Sequence, residues 1–187
     1  MSTATQTTEK LLTAIEFGAL PDDGKLYELV LGRLVEMNRP KPRHGKCMLR
    51  IGHLIASYLD DHDIGHIWGG DSGMLTTQHP DSVRGADAAF TSYTRIPKDE
   101  FPEDYSNIAP DLIFEVLSPD DRWPAVRKKI DEYLDFGVLY VCLLEQEFKN
   151  LQVHSANRQP YTLRAADEFS LPDILPDFRC RVSQFFE

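Results

Sequence analysis

Two acidic residues of this chain stand inside segments that are otherwise apolar. Glu115 lies between Phe114 and Val116 in the strand-like segment PDLIFEVLSP, and Asp87 precedes the apolar run AAF. Burying an unpaired carboxylate costs several kcal/mol even after the surroundings relax. The pattern therefore indicates either structural acids held by salt bridges or a site that uses their charge.

The spacing of these acids is compatible with one divalent-cation site. Because side chains alternate along a strand, Asp111 and Glu115 share a face of their predicted strand. Asp87 begins a second predicted strand, and acids from two neighbouring strands can converge on one ion. Carboxylate oxygens are hard ligands that suit magnesium or manganese. Both acids keep structural alternatives, since Glu115 could pair with an arginine and Asp87 could cap a turn or pair with Arg84.

Five other polar residues could assist such a site. Lys129 lies at the edge of the buried face of a predicted helix, where its ammonium could reach the sheet or extend into solvent. Glu28, on a predicted hairpin strand, could help to position the metal or a water, or could be an ordinary exposed strand residue. His44 begins a helix after a basic loop and could contact a phosphate or a catalytic water. Arg84 and Asp111 are candidate substrate-binding residues.

Length and composition predict one soluble globular domain. The chain has 187 residues, of which 42% are hydrophobic and 27% charged, which is enough for one core and too few for two. We assign residues 1–11 to a flexible N-terminal segment and residues 12–187 to the domain. No apolar run reaches the ~18 residues of a membrane span, and no secretory signal opens the chain, so we expect a cytoplasmic protein without membrane contact. The cysteines form no CxxC pair and do not indicate a disulfide framework or zinc ribbon.

The net charge of −10 opposes simple binding of nucleic acid, because proteins that neutralise phosphates usually present a basic face. Bound divalent cations can reverse the local potential of an acidic site. Five basic residues also cluster in one short stretch, namely Arg39, Lys41, Arg43, Lys46 and Arg50. The sequence contains no GxSxG elbow, P-loop or GxGxxG motif, so it gives no support to several other enzyme chemistries.

The hydrophobic pattern predicts three helices. A short helix follows Thr13, whose spacing to Glu16 is that of a capping box. Apolar residues recur with helical spacing over residues 46–60 and again over residues 121–136. Gly137 is placed to end the last of these helices as a C-cap.

The strand pattern predicts a mixed α/β fold around one sheet. Residues 27–37 form a hairpin that turns at Leu31-Gly32. Further strands are expected at residues 66–70, 72–78, 86–92, 110–119, 138–145, 151–156 and 159–165, followed by a closing segment with a short helix. Residues 93–109 form a loop long enough to act as a flap over a substrate.

Several motifs resemble, in order and spacing, those of the Uma2 (Uma-two) family, a bacterial group within the PD-(D/E)XK nuclease superfamily. YELVLGRLVEM is similar to the family's YEL segment and hairpin, and RGADAAF to its R-G-P-D strand. PDLIFEVLSPDD is similar to its P-D-l-v-v-E-V-l-S-P strand, and VRKKIDEYLDFGVLY to its K-l-x-x-Y helix and following strand. The likeness covers residues 12–186. It implies a restriction-endonuclease-like α/β (α+β) fold, with a mixed central sheet flanked by helices, an N-terminal helix and a β-hairpin.

Carried over by motif position, the resemblance implies that Asp87 and Glu115 ligate a metal ion. Leu117 stands two residues after the glutamate, where the superfamily's plainest form has a lysine. The lysine would therefore come from Lys129 of the helix motif. Glu28 would be the acid of the YEL segment and would join the catalytic set.

Two departures from the family pattern remove no proposed ligand. Ala86 replaces the usual proline before Asp87, and Leu31 replaces the usual aspartate of the hairpin turn. CLLEQ stands where the family commonly has W-l-v-D-P, and we expect that change to be structural.

The resemblance implies a metal-dependent endonuclease that hydrolyses phosphodiester bonds of nucleic acid, most simply DNA, through a water activated by Mg²⁺ or Mn²⁺. Two alternatives stay open. The chain could be a catalytically silent member that binds nucleic acid or protein, or a hydrolase of small phosphoesters, which its acidic charge would suit. A homodimer is compatible with the function, since two-fold dimers are the commonest soluble assembly and would suit cutting two strands.

Overall fold

The computed structural model describes residues 10–187. Its elements, in order, are α1 (Ala14–Gly18), β1 (Leu26–Val30), β2 (Arg33–Met37), α2 (Pro42–Asp61), β3 (Gly65–Thr77), β4 (Ser82–Ser92), β5 (Leu112–Leu117), α3 (Trp123–Phe136), β6 (Tyr140–Glu145), β7 (Asn150–Ser155), β8 (Arg158–Leu163), β9 (Glu168–Phe169), β10 (Cys180–Arg181) and a 3₁₀ helix (Val182–Phe186). The flexible segment expected over residues 1–11 falls mainly on residues 1–9, which lie outside the described residues.

Strand β4 organises an eight-stranded sheet. The sheet order is β2-β1-β4-β5-β6-β7-β8, and β3 pairs with β4 along nearly its whole length. Neighbouring strands are antiparallel except β5 and β6, which are parallel and joined by the crossover helix α3. The expected fold, a mixed central sheet flanked by helices with an N-terminal helix and hairpin, is confirmed.

The sheet has an opening beside the middle of β4. Because β3 occupies one edge of β4, strands β1 and β5 must share the opposite edge. β1 pairs there through Leu29 and Val83, and β5 pairs with residues 88–90. Residues 84–87 of β4 therefore face a gap between β1 and β5, and polar side chains from both flanking strands can enter the sheet there.

Helices cover both faces of the sheet, and alternate side chains of β5 face different helices. Phe114 belongs to the core beneath α2 and the C-terminal segment, whereas its neighbour Ile113 belongs to the core beneath α3. Fully burying such a side chain contributes about 1.5–3 kcal/mol. Glu115 follows in the same alternation as Ile113 and is therefore directed to the α3 side, where Lys129 and Tyr133 lie.

Three local signals of the sequence are confirmed. Thr13 Oγ1 accepts the N–H of Glu16 over 3.2 Å, and Glu16 accepts the N–H of Thr13 over 2.9 Å, which completes the capping box of α1. Leu31 and Gly32 both have positive φ, 49° and 77°, as a two-residue hairpin turn requires. Gly137 ends α3 with a φ of 108°.

Three elements near the site differ most from the sequence-based expectation. α2 begins at Pro42 rather than at residue 46, because proline is favoured in the first turn of a helix. The two short strands expected at residues 66–70 and 72–78 are one strand, β3, with a bulge between Gly69 and Ser72. β4 begins at Ser82, so its first four residues are strand rather than loop. The bulge interrupts the alternation of side chains, and that interruption hides the continuity of the strand in the sequence.

In the part of the chain that the structure describes, no helix has the length and apolar character needed to cross a membrane. Cys47, Cys142 and Cys180 are buried free thiols, as expected for core packing.

Candidate active site

The opening beside residues 84–87 gathers the acids and the lysine that the sequence singles out. Asp87 lies on β4, Glu115 on β5, Glu28 on β1 and Lys129 on α3. β1 and β5 flank the opening, and α3 packs over the face to which Glu115 is directed. Four separate elements therefore bring these side chains to one place.

Asp87 is buried, and both of its carboxylate oxygens have partners. Oδ2 accepts the N–H of Val116 over 2.6 Å, and Oδ1 lies 2.9 Å from Nε2 of His44. The pairing of β4 with β5 stops next to Asp87, so its carboxylate takes the place of the next backbone contact. Among the described residues, Asp87 therefore neither caps a turn nor pairs with Arg84.

Glu115 is held by two side chains of α3. Its Oε1 accepts the hydroxyl hydrogen of Tyr133 over 2.9 Å and lies 3.1 Å from Nζ of Lys129. Burial raises the pKa of Glu115 to about 7; the Lys129 charge opposes this rise and the Asp87 charge adds to it. The charge of Asp87 therefore disfavours ionisation of Glu115. The salt bridge considered as the structural alternative for Glu115 is present, with Lys129 rather than with an arginine.

The Lys129 ammonium contacts acceptors from three strands. Nζ donates to the carbonyl of Gly85 over 3.0 Å and lies 3.2 Å from Oε1 of Glu28, in addition to its contact with Glu115. Burial alone would lower the pKa of Lys129, but the negative charges of Glu115 and Glu28 raise it well above its usual value. Lys129 therefore stays protonated, with its ammonium fixed at the wall of the opening.

Glu28 is a buried acid rather than an exposed strand residue. Its Oε2 lies 2.8 Å from Nη1 of Arg84, and its Oε1 accepts the N–H of Gly85 over 3.2 Å. Arg84 also contacts Glu132 over 2.7 Å. Burial opposes the ionisation of Glu28, but Lys129 and Arg84 outweigh it and lower the pKa of that carboxyl. The guanidinium of Arg84, a candidate substrate contact, is committed to two glutamates and holds Glu28 in place.

Of the two other candidate substrate-binding residues, His44 reaches the site and Asp111 lies away from it. His44, in the first turn of α2, contacts Asp87; burial lowers its pKa, but the Asp87 interaction outweighs burial and raises it. Asp111 precedes β5, outside the alternation that was expected to place it beside Glu115. It pairs with Arg95 over 2.8 Å and accepts the N–H of Ser92 over 2.7 Å, so its contacts are structural.

Two residues of the site escape the sequence analysis. The Tyr133 hydroxyl lies 2.9 Å from both Glu115 and the Gly85 carbonyl; its signal was its place one helical turn after Lys129. Asp71 lies in the β3 bulge with a φ of 63°. Burial and the charge of Asp87 raise the pKa of Asp71. In the sequence, Asp71 is marked by a break in the alternation of apolar and polar residues. Such a break predicts the end of a strand rather than a bulge.

These residues line a cleft of about 420 Å³, a volume typical of a small-molecule or substrate pocket. The acids and Lys129 lie on its inner wall. Three exposed basic residues also line it, namely Arg39, Lys41 and Arg122. Three exposed acidic residues, Glu36, Asp120 and Asp121, line it as well, and Lys41 pairs with Asp120 over 3.1 Å. The cleft therefore combines an acidic interior with charges of both signs at its rim.

A comparison with models of protein families identifies the family of this chain. The model of the Uma2 family, described as "putative restriction endonuclease", matches residues 14–183. The chain belongs to the Uma2 family. The resemblance drawn from the sequence motifs is thereby confirmed, and membership supports a nuclease function.

A solved structure shares the Uma2 protein's fold. It is the crystal structure of a "putative nuclease belonging to DUF820" from Anabaena variabilis ATCC 29413, with a TM-score of 0.80 and 21% sequence identity. The match covers 94% of this chain and 97% of that one. At this identity the likeness establishes the fold alone. None of the curated proteins matches the sequence.

Proposed function

We propose that this Uma2 protein is a metal-dependent endonuclease that hydrolyses phosphodiester bonds of nucleic acid, with DNA as the expected substrate. One observation carries the proposal: Lys129, Glu115 and Asp87 line one cleft as a protonated amine beside the buried carboxylate of Asp87 and the half-buried carboxylate of Glu115. Membership of a nuclease family agrees with that chemistry.

The acids fit a small divalent cation in chemistry. Asp87 and Glu115 supply the hard oxygen ligands that Mg²⁺ and Mn²⁺ prefer. Their charges repel each other where water screens them poorly, and a cation between them would relieve that repulsion. Among residues 10–187 no three histidine, cysteine or acidic side chains are already arranged as a metal site. Asp87 and Glu115 would therefore hold the ion together with water, as Mg²⁺ sites commonly do.

When bound, such a cation supplies Lewis-acid polarisation of the phosphodiester and lowers the pKa of a water. The side chains of the protein provide positioning and charge. Lys129 would donate to the attacking water or to a phosphate oxygen as negative charge develops, from a place fixed by Glu28 and the Gly85 carbonyl. Tyr133 holds Glu115 through its hydroxyl.

A hydrolase of small phosphoesters is the second candidate, and the net charge of −10 favours it. An acidic surface repels a long polyanion more than a small monoanion or dianion. Exposed cations at the rim of the cleft favour the first candidate, because Arg39 and Arg122 could contact phosphates on either side of the scissile bond.

A substrate panel separates the candidates. The purified protein would be given Mg²⁺ or Mn²⁺ and offered supercoiled plasmid, linear duplex, single-stranded DNA, RNA and bis(p-nitrophenyl) phosphate. The proposal expects internal cleavage of a polynucleotide that EDTA abolishes. Linear plasmid formed without a nicked intermediate would indicate a dimer that cuts both strands. Hydrolysis of the small ester alone would favour the second candidate, and metal binding without any hydrolysis would leave a catalytically silent member and contradict the proposal.

A further inference from the structure

A second cavity, of about 520 Å³, adjoins the cleft. The two share part of their walls, formed by Lys41, His44, Leu117, Ser118, Asp121 and Val126. A polynucleotide with its scissile phosphate in the cleft must continue on at least one side of that phosphate. The shared wall makes the second cavity a direct continuation of its path.

Two large apolar side chains on the wall of this cavity are exposed. Trp123 is 51% exposed and Phe148 is 68% exposed. Trp123 begins α3 and Phe148 lies in the turn between β6 and β7. Single exposed apolar residues are ordinary, but these two aromatic rings line one cavity beside the cleft. Exposed rings are the platforms on which unpaired bases stack in proteins that bind single strands.

The same wall carries positive charge from helices and side chains. Lys41 is the N-cap of α2, and Arg122 is the N-cap of α3; neither helix has a side-chain hydrogen bond at its cap. Each helix has a proline in its first turn, and the N–H groups of His44 and Ala125 donate to the carbonyls of the two N-cap residues. What the N-termini offer an anion is therefore mainly the positive ends of two helix dipoles.

Lys41 and Arg43 add two cationic side chains. Lys41 pairs with Asp120 over 3.1 Å, and Arg43 donates to the carbonyl of Gln146 over 2.6 Å. The wall therefore suits a phosphate as well as a base.

Two buried side chains of the cavity wall each have one polar atom without a hydrogen-bond partner in the part of the chain that the structure describes. His44 and Gln146 are 9% and 8% exposed, and neither Nδ1 of His44 nor Oε1 of Gln146 has a partner among residues 10–187. Nε2 of Gln146 donates to the carbonyl of Leu117 over 3.0 Å, which fixes the orientation of the amide. Unsatisfied groups of this kind are few in folded proteins and call for a ligand or an ordered water.

Three acids also line the cavity, and two of them have partners within the fold. Asp121 accepts the N–H of Ser118 over 2.7 Å, and Glu145 lies 3.1 Å from the amide nitrogen of Gln152. Glu147 is exposed at the outer wall. Carboxylates can accept hydrogen bonds from the amino groups of bases, so acids beside aromatic rings are compatible with a base-binding surface.

We propose that this cavity binds an unpaired nucleotide next to the scissile phosphate, with its base against Trp123 and Phe148 and its phosphate at the N-termini of α2 and α3. The inference rests on the proposed nuclease function and makes single-stranded or locally unpaired nucleic acid the preferred substrate. In an intact duplex the bases are stacked and paired, so a base must be splayed out before it can enter.

Trp123 supplies a direct readout of binding. The chain has two tryptophans, so Trp68→Phe leaves Trp123 as the single reporter, and Glu115→Gln prevents cleavage during the titration. The double variant would be titrated with a 12-nucleotide oligothymidylate, its RNA counterpart and a blunt duplex of the same length. We expect single strands to quench Trp123 fluorescence and the duplex to bind at least tenfold more weakly. The RNA arm distinguishes the sugar that the cavity prefers.

Matched variants separate the cavity from general binding. Phe148→Ala should weaken single-strand binding at least fivefold, whereas Leu49→Ala, a change at a 78% exposed residue of α2 outside the cavity wall, should leave it unchanged. Equal affinity for duplex, absence of quenching, or an unchanged Phe148→Ala variant would overturn the inference. These readouts need no cleavage. Their failure would leave the nuclease proposal unaffected. Quenching in the double variant, together with no cleavage by the wild type, would contradict the nuclease proposal alone.

Discussion

The contacts of Lys129 hold its ammonium in one position in the proposed site. Its side chain is only 20% exposed, and its ammonium lies within 3.2 Å of Glu115 and Glu28, so its position is set by the protein rather than by solvent. A donor that is already oriented needs no reorganisation when charge develops on a substrate. Lys128, its neighbour in the helix, is exposed and provides a comparison that differs in position alone.

We expect Lys129→Gln to lower the cleavage rate by about 10²–10³-fold, the range for removal of one preorganised donor. Lys128→Gln should cleave like the wild type. The measurement is the initial rate of nucleic-acid cleavage at saturating metal, with circular dichroism to confirm that both variants fold. Equal rates for the two variants would remove Lys129 from the catalytic set.

Asp71 should destabilise the metal-free protein at neutral pH. Burial and the charge of Asp87 raise its pKa, so its contribution to stability is present below its usual pKa and is lost as the pH rises through the raised value. Asp71→Asn keeps a residue type that tolerates positive φ. It should increase the free energy of unfolding at pH 7 by less than about 1 kcal/mol, because solvent screens the side chain.

Urea unfolding in EDTA at pH 7 and pH 3 would test the role of Asp71. At pH 3, where both forms of the protein carry a neutral side chain at position 71, the difference between wild type and variant should shrink. A variant that is less stable than wild type at both pH values would instead make Asp71 a structural residue.

At the scale of elements, a bulge and a gap position the acids. Gly70 and Asp71 of β3 stand opposite Asp87, because Gly69 pairs with Ala88 and Ser72 pairs with Ala86. Bulges of this kind redirect a side chain and are frequent next to active sites. The sequence predicts most helix ends and strand positions near the site but not this bulge, because one extra residue changes the register without leaving a motif.

Helix ends were predictable where a local rule sets them. Gly137 follows from the need for a residue that adopts positive φ at the end of α3, and the capping box at Thr13 follows from its spacing to Glu16. The contacts of Tyr133 and Glu132 could not be predicted. They depend on which turn of α3 faces the gap in the sheet, and that is decided by packing between residues far apart in the chain.

Two glycine-to-alanine substitutions should shift stability in opposite directions. Gly137→Ala should lower the free energy of unfolding by about 1–2 kcal/mol, because its φ of 108° strains any residue with a Cβ. Gly52→Ala, inside α2 where an added Cβ meets nothing within 4 Å, should raise it by about 0.5–1 kcal/mol. Urea unfolding of both variants checks the pair. A destabilised Gly52→Ala would show that the interior of α2 is less regular than described.

At the scale of the whole molecule, the C-terminal segment completes the core beneath the strands that carry the proposed site. Phe185 is fully buried, with its ring centroid 5.6 Å from that of Phe114 and 5.5 Å from that of Phe169. Phe114 immediately precedes Glu115 on β5. Packing at the end of the chain therefore fixes the strand that carries one of the two proposed metal ligands.

Phe185→Ala should lower the free energy of unfolding by about 3–5 kcal/mol, as expected for a fully buried phenylalanine. Leu49→Ala, at an exposed position of α2, should change it by no more than about 0.5 kcal/mol. Chemical denaturation measures both values. A loss below about 1 kcal/mol in Phe185→Ala would mean that the C-terminal segment is not part of the cooperative core.

The proposed mechanism is tested most directly by the nicking of supercoiled plasmid with Mg²⁺ or Mn²⁺. The measurement compares the wild type with Glu115→Gln. This substitution would keep the size of the side chain and remove one of the two negative charges that the carboxylates would offer a cation. We expect metal-dependent nicking by the wild type and none by the folded variant, together with weaker metal binding in calorimetry. Equal nicking by both proteins, or nicking that persists in EDTA, would contradict a metal centre built on Asp87 and Glu115.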